Sequence, residues 1–245
     1  MAIETQTPAA VSCWACHAAL GENQHFCAAC GKVQPATATD FFSFFGLPRK
    51  LNLDVAALTR EFYRLSRQLH PDVYARAGQQ EQQWSLEKSS QLNDAYRALK
   101  DPIERTAYLL QLEGVQLEEQ SKAATDRARQ TGEVKKQVVP PDLLEEVFEL
   151  NMQLEEARAA RKMGEDDPDV RRELGTHKQH FEEKLEALSA ELQGYWNDWD
   201  RAGSEVERTQ ARDRMVDLLN RRSYIRNLVR DVKEAIGQCL KSAKS

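Results

Sequence analysis

Glycine and proline are scarce in this chain, which has 11 glycines, 8 prolines and 7% aromatic residues among its 245. Glutamate, glutamine, arginine, leucine and alanine are abundant instead, and this composition favours long helices over sheet. No apolar run approaches the roughly 20 residues that span a bilayer. The first ten residues contain no basic side chain and no apolar core, so we expect no signal or transit peptide and a cytoplasmic protein. A net charge of -5 at pH 7 argues against nucleic acid as the main partner.

Cysteine, by contrast, is present in an ordered pattern. Four of the five cysteines follow the spacing C-x2-C-x10-C-x2-C, and they are Cys13, Cys16, Cys27 and Cys30. In a reducing compartment such pairs are metal ligands rather than disulfides. Two thiolate pairs on turns can close a tetrahedral site, so we predict one structural zinc ion with no open coordination position. A rubredoxin-like iron site is the alternative.

Two histidines flank this quartet, His17 and His25. Either could replace a cysteine as a ligand, but both are expected to be solvated loop residues. A site this small depends on its ion for folding. We therefore expect chelation to unfold residues 11–32 and to leave the helices of the chain intact.

The rest of the chain divides by hydrophobic pattern into three parts. A polar stretch separates the cysteine module, residues 1–35, from residues 40–112, where two long helices and two short ones are predicted. Residues 113–139 are polar without a sustained apolar stripe and are predicted to be a linker. Residues 140–245 carry three helical patterns with short connections, which is typical of an antiparallel bundle. The predicted fold class is mainly α, with a zinc-ribbon-like module, a helical hairpin and a three-helix bundle.

The sequence QLHPDVYA at residues 68–75 follows the first long helix of the hairpin. It contains His70, Pro71 and Asp72, which have three explanations: a catalytic pair, a metal ligand or a docking tripeptide. No nucleophile and no further ligands lie nearby in the sequence, which argues against the first two.

The helix before the tripeptide has a basic face. At about 100° per residue, three arginines lie on one face opposite the apolar stripe, namely Arg60, Arg64 and Arg67. A charge run is most often a solvated helix face. Here it leads directly into the tripeptide, so we predict a patch that binds an acidic partner surface.

Three stretches within residues 40–112 carry a resemblance to a known family. The stretches are DFFSFFGLP, LTREFYRLSRQLHPDVY and LNDAYRALKDPIERTAYLL. They resemble the J-domain of DnaJ-type co-chaperones, and more closely that of the HscB iron–sulfur co-chaperones. The helices from LLEEVFEL onward are similar to the C-terminal bundle of that family, some members of which carry a tetracysteine module. The resemblance implies that the tripeptide and the three arginines bind an HscA/DnaK-type ATPase chaperone and stimulate it. The chain itself would be no enzyme.

The resemblance also implies a second partner, the iron–sulfur cluster scaffold protein. The bundle would deliver it to the chaperone and so assist the maturation of iron–sulfur proteins. The contact positions of the family correspond here to Leu144, Phe148, Glu149, Glu156 and Tyr224. Two further positions depart from the family pattern, since Glu145 replaces an apolar residue and Met152 replaces an acidic one.

The start of the bundle is acidic irrespective of that resemblance. Six acids and no base lie between residues 142 and 156. This balance suits a basic partner face, although an ordinary solvated helix side has the same composition. Leu144 and Phe148 are one helical turn apart, so either could instead belong to the bundle core.

Two other functions fit parts of the sequence. A general DnaJ-type co-chaperone would use the same tripeptide and bring other clients. A zinc-ribbon nucleic-acid binder is disfavoured, because residues 11–32 contain one lysine and no arginine to neutralise phosphates. We therefore expect two protein partners, and neither nucleic acid nor a membrane.

Overall fold

The structure is a computed structural model that describes residues 12–21, 24–36, 40–115, 117, 139–163 and 168–242. The predicted linker at residues 113–139 lies almost entirely outside these ranges and stays a prediction. The chain divides into two compact units, Met1–Leu109 (unit 1) and Leu110–Ser245 (unit 2), and each is described by itself. The described residues are mainly helical, with isolated bridges in place of strands, which confirms the predicted fold class.

Unit 1 is built from two long helices and two short ones. In its described part the elements are α1 (Phe41–Phe44), α2 (Val55–Leu69), a 3-10 turn (Pro71–Tyr74), α3 (Gln79–Lys100) and α4 (Pro102–Leu112), the last of which runs into unit 2. Aspartates cap α1, α2 and α4, since Asp40, Asp54 and Asp101 each accept backbone N–H groups of the following first turn. Helix α2 ends before Pro71, because proline has no N–H to continue it and keeps the preceding residue extended.

Helices α2 and α3 form the predicted hairpin. The Thr59 hydroxyl near the start of α2 lies 3.2 Å from the Tyr96 hydroxyl near the end of α3. At the other end, the carbonyl of Leu69 accepts a hydrogen bond from Ser85 at 2.7 Å. The two helices are therefore antiparallel.

The core of unit 1 draws residues from α1, α2, α3 and the cysteine module. Its buried members are Val33, Phe44, Leu65, Leu69, Leu92 and Ala95. Val33 follows the last cysteine closely, so the module contributes to this core instead of standing apart from it. The sequence predicts that chelation leaves the helices intact, whereas this shared core leads us to expect that chelation destabilises them.

Unit 2 is the predicted three-helix bundle. Its described elements are a 3-10 turn (Pro141–Leu143), α5 (Leu144–Lys162), α6 (Pro168–Arg201) and α7 (Glu205–Ser242). Because residues 202–204 alone connect them, α6 and α7 run antiparallel. At this turn the Glu207 N–H donates to Ser204 Oγ at 3.3 Å, and the Glu207 carboxylate accepts the Gly203 N–H at 2.8 Å. This arrangement is a capping box displaced by one residue.

Helix α5 packs on both long helices of unit 2. Its Glu146 carboxylate lies 2.6 Å from Lys184 Nζ and 3.1 Å from His180 Nε2 on α6, while Asp142, in the 3-10 turn before α5, pairs with Arg221 on α7. The buried core includes Leu150, Leu174, Phe181, Leu192, Met215, Ile225 and Val232. Among the described residues, no helix combines the length and apolarity needed to cross a membrane.

Candidate metal centre and partner-binding surfaces

The four predicted cysteine ligands come together in unit 1. All four Sγ atoms lie within 4.8 Å of one another. Cys13 and Cys30 are separated by 3.7 Å and Cys16 and Cys27 by 3.6 Å between sulfurs. Four thiolates around zinc at about 2.3 Å form a tetrahedron with edges of about 3.8 Å. The observed spacing fits such an ion, and the four cysteines would hold it.

Two turns of the same design present these ligands. In the first turn, the Cys13 N–H donates to Ala18 O at 2.9 Å, and in the second the Cys27 N–H donates to Lys32 O at 2.9 Å. Each turn closes with an isolated antiparallel bridge, Ser12 with Ala19 and Phe26 with Val33. The quartet is therefore an internal repeat of one metal-binding turn.

Backbone amides favour ionisation of some thiols over others. Burial opposes ionisation of Cys13, but the N–H groups of Cys16 and Ala15 outweigh it and lower the pKa of this thiol to about 6. At Cys16 the Ala18 N–H favours the thiolate, yet the neighbouring Cys30 sulfur and burial raise the pKa to about 12. Adjacent thiolates thus repel one another, and a bound cation removes that repulsion.

A buried amide supports the first ligand. Gln34 Nε2 lies 3.4 Å from the Cys13 sulfur and donates to Lys32 O at 2.7 Å. Such a donor beside a thiolate orients the ligand and stabilises its charge. Trp14, inside the first cysteine pair, donates its Nε1–H to Val33 O at 2.8 Å and packs its ring edge-on against Trp84 of α3.

His25 is half-buried, so the expectation that it is a solvated loop residue is wrong, and it is not among the clustered metal-ligand candidates of the described residues. Its Nε2–H donates to Phe44 O at 2.9 Å, and its Nδ1 lies 3.4 Å from Lys88 Nζ. Burial, and then the charge of Lys88, lower the pKa of His25 to about 4, so the ring is neutral and Nδ1 accepts. His17, as expected, is exposed.

The sequence analysis missed a polar stripe on α3 beneath the module. Glu81, Ser85 and Lys88 are buried in register with the apolar Leu92, Ala95 and Leu99. Spacings of four and three residues join all of them into one inward face. That periodicity was the available signal, but polar side chains at these positions predict an exposed face.

His70 caps the 3-10 turn of the tripeptide. Its Nδ1 accepts the Asp72 backbone N–H at 3.2 Å and lies 3.6 Å from Asp72 Oδ2. Because Nδ1 accepts, the proton of the neutral ring is on Nε2, which is left as a donor for a partner. The two side chains are 55% and 91% exposed. Among the described residues no third ligand joins them.

The three predicted arginines are all exposed on α2, as the helical geometry requires. Arg64 pairs with Glu61 at 2.5 Å and donates to Gln68 at 2.8 Å. Tyr63 is also exposed and lies one residue before Arg64, on the same helix face as Arg60 and Arg67. The charge pattern of α2 does not single out this aromatic side chain.

The acidic helix α5 exposes an apolar stripe. Leu144, Phe148 and Met152 are 54%, 66% and 60% exposed at successive helical turns. The acids Glu145, Glu149 and Glu156 are exposed as well. Leu144 and Phe148 therefore lie on the surface of unit 2, which excludes the alternative that they belong to its core.

Tyr224 is placed differently from the other scaffold positions. It is only 5% exposed and lies among the buried residues of α7. Burial raises the pKa of its phenol. The predicted contact through this ring is corrected, because neighbouring side chains already cover it.

Comparison with known proteins adds to this geometry. Residues 40–108 match the DnaJ domain family, and residues 139–233 match the family described as the HSCB C-terminal oligomerisation domain. The chain is 32% identical to the human iron–sulfur cluster co-chaperone protein HscB over 157 residues, which are 62% of this chain and 61% of the human protein. It therefore spans less than two thirds of that relative.

Other comparisons cover a larger share of the relative's length. The co-chaperone protein HscB homolog of Bordetella avium (strain 197N) is 31% identical over 169 residues, 69% of this chain and 88% of that protein. The crystal structure of human co-chaperone protein HscB matches with a TM-score of 0.63 at 22% identity, over 91% of this chain and 97% of that chain. Chaperone HscB from Vibrio cholerae matches with a TM-score of 0.54 at 24% identity, over 82% and 99%. At these identities the structural likeness concerns the fold alone.

Proposed function

The chain belongs to the HscB family of co-chaperones, and on that premise we propose that it stimulates ATP hydrolysis by an HscA/DnaK-type chaperone and delivers an iron–sulfur cluster scaffold protein to it. The names of the human and bacterial relatives support this role. The chain itself catalyses no reaction in this proposal; it changes the rate of a partner and positions a client.

The exposed His-Pro-Asp turn is the observation that carries the proposal. It lies at the end of α2, within the residues that match the DnaJ domain. The side chains of His70 and Asp72 are exposed, with His70 Nε2–H as a donor and the Asp72 carboxylate as an acceptor that a partner can reach, while Pro71 keeps the turn rigid. Arg60, Arg64 and Arg67 add positive charge along α2, which complements an acidic chaperone surface.

The scaffold protein is proposed to bind the exposed face of α5. Leu144 and Phe148 supply apolar area, and Glu149 and Glu156 lie exposed on the same helix. Such a face fits a partner with an apolar patch inside a basic rim. A general co-chaperone that brings other clients through this face is the second candidate, because the His-Pro-Asp turn would serve it equally.

Zinc is the proposed ion of the cysteine module, since four thiolates in a closed tetrahedron suit it best. When bound, the ion supplies a cross-link among four thiolates and no reactive position. A thiolate site of this kind requires a reducing compartment, which supports the cytoplasm as the place of action. The proposed organisation is a metal module at 1–35, a J-domain at 40–112, a linker at 113–139 and a scaffold-binding bundle at 140–245.

Steady-state phosphate release by a DnaK-type chaperone, with and without the full chain, tests the proposal. His70→Gln is expected to reduce the stimulation to the unassisted rate, because glutamine cannot reproduce the imidazole geometry. Helical content and melting temperature should not change, since the side chain is largely exposed. His180→Gln, another exposed histidine, is the matched control and should stimulate fully. Full stimulation by His70→Gln would refute the proposed chaperone contact.

A further inference from the structure

The inward face of α3 has a polar half that needs partners from elsewhere. Glu81, Ser85 and Lys88 are buried, with Glu81 and Lys88 carrying opposite charges. Burial lowers the pKa of Lys88 to about 8. Ionic groups in such positions destabilise a fold unless other groups pair with them.

The cysteine module provides these partners. Lys32 Nζ lies 3.0 Å from both carboxylate oxygens of Glu81, whose side chain is 8% exposed. His25 Nδ1 lies 3.4 Å from Lys88 Nζ. His25 comes two residues before Cys27, and Lys32 two residues after Cys30. The second metal-binding turn is thus fastened to α3 on both sides.

The same face of α3 also fixes the start of the His-Pro-Asp turn. Ser85 Oγ and Ser89 Oγ both donate to Leu69 O, at 2.7 and 2.8 Å. Leu69 is the last residue of α2, and its carbonyl has no helical partner because the helix stops there. Tyr74, at the end of the turn, packs against the buried cluster that contains Val33 of the module.

We propose that the cysteine module is a positioning element for the His70–Asp72 turn, with Lys32 acting through Glu81 and α3. Contacts with the module fix the position of the N-terminal half of α3. Ser85 and Ser89 of α3 in turn fix the position of the Leu69 carbonyl, at which the turn begins. Lys32 is a positioning residue here, since it touches α3 and not the turn. The consequence for ATPase stimulation rests on the proposed function, whereas the consequence for the conformation of the turn does not.

The test compares four forms of the full, metal-loaded chain: unmodified, Lys32→Glu, Glu81→Lys and the double charge swap. Hydrogen exchange followed by mass spectrometry reports on residues 70–77, where the Val73, Ala75 and Ala77 amides are hydrogen-bonded within the turn. Each single variant should accelerate exchange there by about tenfold. Each should also raise the chain concentration for half-maximal stimulation of a DnaK-type ATPase, and the double swap should restore both values.

Two further variants serve as controls for this comparison. Lys50→Glu makes the same charge change at an exposed position before α2 and should alter neither value. Lys32→Met removes the ion pair without placing two carboxylates together, so it keeps the test decisive if the charge reversal prevents folding. Metal content and helical content are measured for each form. These measurements show whether a change in exchange comes from altered contacts between the module and α3 or from loss of the metal ion.

Unchanged exchange at residues 70–77 in Lys32→Met and both single swaps, at full metal content, would overturn the inference. Restored exchange with unrestored stimulation in the double swap would support positioning of the turn and refute only its consequence for the ATPase, because the module would then contact the chaperone directly. If the unmodified chain fails to stimulate any ATPase, the proposed function fails, and the exchange comparison still decides whether the module positions the turn.

Discussion

His17 and Gly31 occupy equivalent places in the two metal-binding turns. Both have left-handed backbone, with φ of 60° and 71°, and both amides donate to the carbonyl of the first cysteine of their turn, at 3.0 and 2.9 Å. Glycine adopts this conformation without strain, whereas a side chain clashes with its own backbone there. The first turn therefore carries strain that the second avoids.

His17→Gly should accordingly tighten metal binding. Relief of the left-handed strain is worth about 1 kcal/mol, or about fivefold in affinity. Competition of the loaded chain with a chromophoric chelator measures this directly. Gly31→Ala is the matched opposite change and should weaken binding by a similar factor. Equal affinities in all three forms would show that the two turns are not strained as their backbone angles indicate.

Helix α5 shows how one element serves core and surface together. Val147, Leu150 and Leu154 are buried while Leu144 and Phe148 are exposed, so apolar residues lie on two faces of the same helix. Such a helix has no single apolar stripe, and its sequence leaves open which leucines point inward. An exposed apolar row among acids is the usual mark of a binding surface.

Phe148→Ala should weaken binding of an iron–sulfur cluster scaffold protein, because large exposed aromatics are frequent anchors of interfaces. The expected loss is about 2 kcal/mol, or about thirtyfold in Kd, measured by calorimetric titration at fixed salt. Val206→Ala on α7 is the control, since that side chain is equally exposed but lies on another helix. No binding of the scaffold by the unmodified chain at micromolar concentration would favour the general co-chaperone over the dedicated one.

At the scale of the whole molecule, the cysteine module that would hold the metal is part of the core of unit 1. Val33 is buried beside residues of α1, α2 and α3, and Phe26 packs against the same cluster. The module therefore stabilises the helices that it touches. Unit 2 has its own core, built from α5, α6 and α7.

Chelation of the metal should destabilise unit 1 and spare unit 2. Loss of the cross-linked turns removes Val33 and Lys32 from their partners, so we expect a fall of at least about 5 °C in the melting temperature of unit 1. Hydrogen exchange resolved by peptide distinguishes the two units: α2 and α3 should exchange faster and α6 and α7 unchanged. Protection of α2 and α3 that survives chelation would instead support a module that folds on its own.

Local patterns were enough to predict several features of this chain. Cysteine spacing predicts the metal ligands, because both pairs lie within turns of four residues. Helical periodicity predicts α2, α3 and the bundle for the same reason, since it depends on neighbours within one or two helical turns. The exposed arginines of α2 follow from that periodicity as well.

Only the tertiary structure decided what contacts the module and what remains exposed. Lys32 and Glu81 are 49 residues apart in sequence, and His25 and Lys88 are 63 apart. No local periodicity predicts that a polar stripe on α3 is buried, because its partners come from another segment. Local periodicity also does not predict that Tyr224 is buried and Met152 is exposed. Burial is a property of the packed neighbours, and those neighbours are assembled only when distant segments meet.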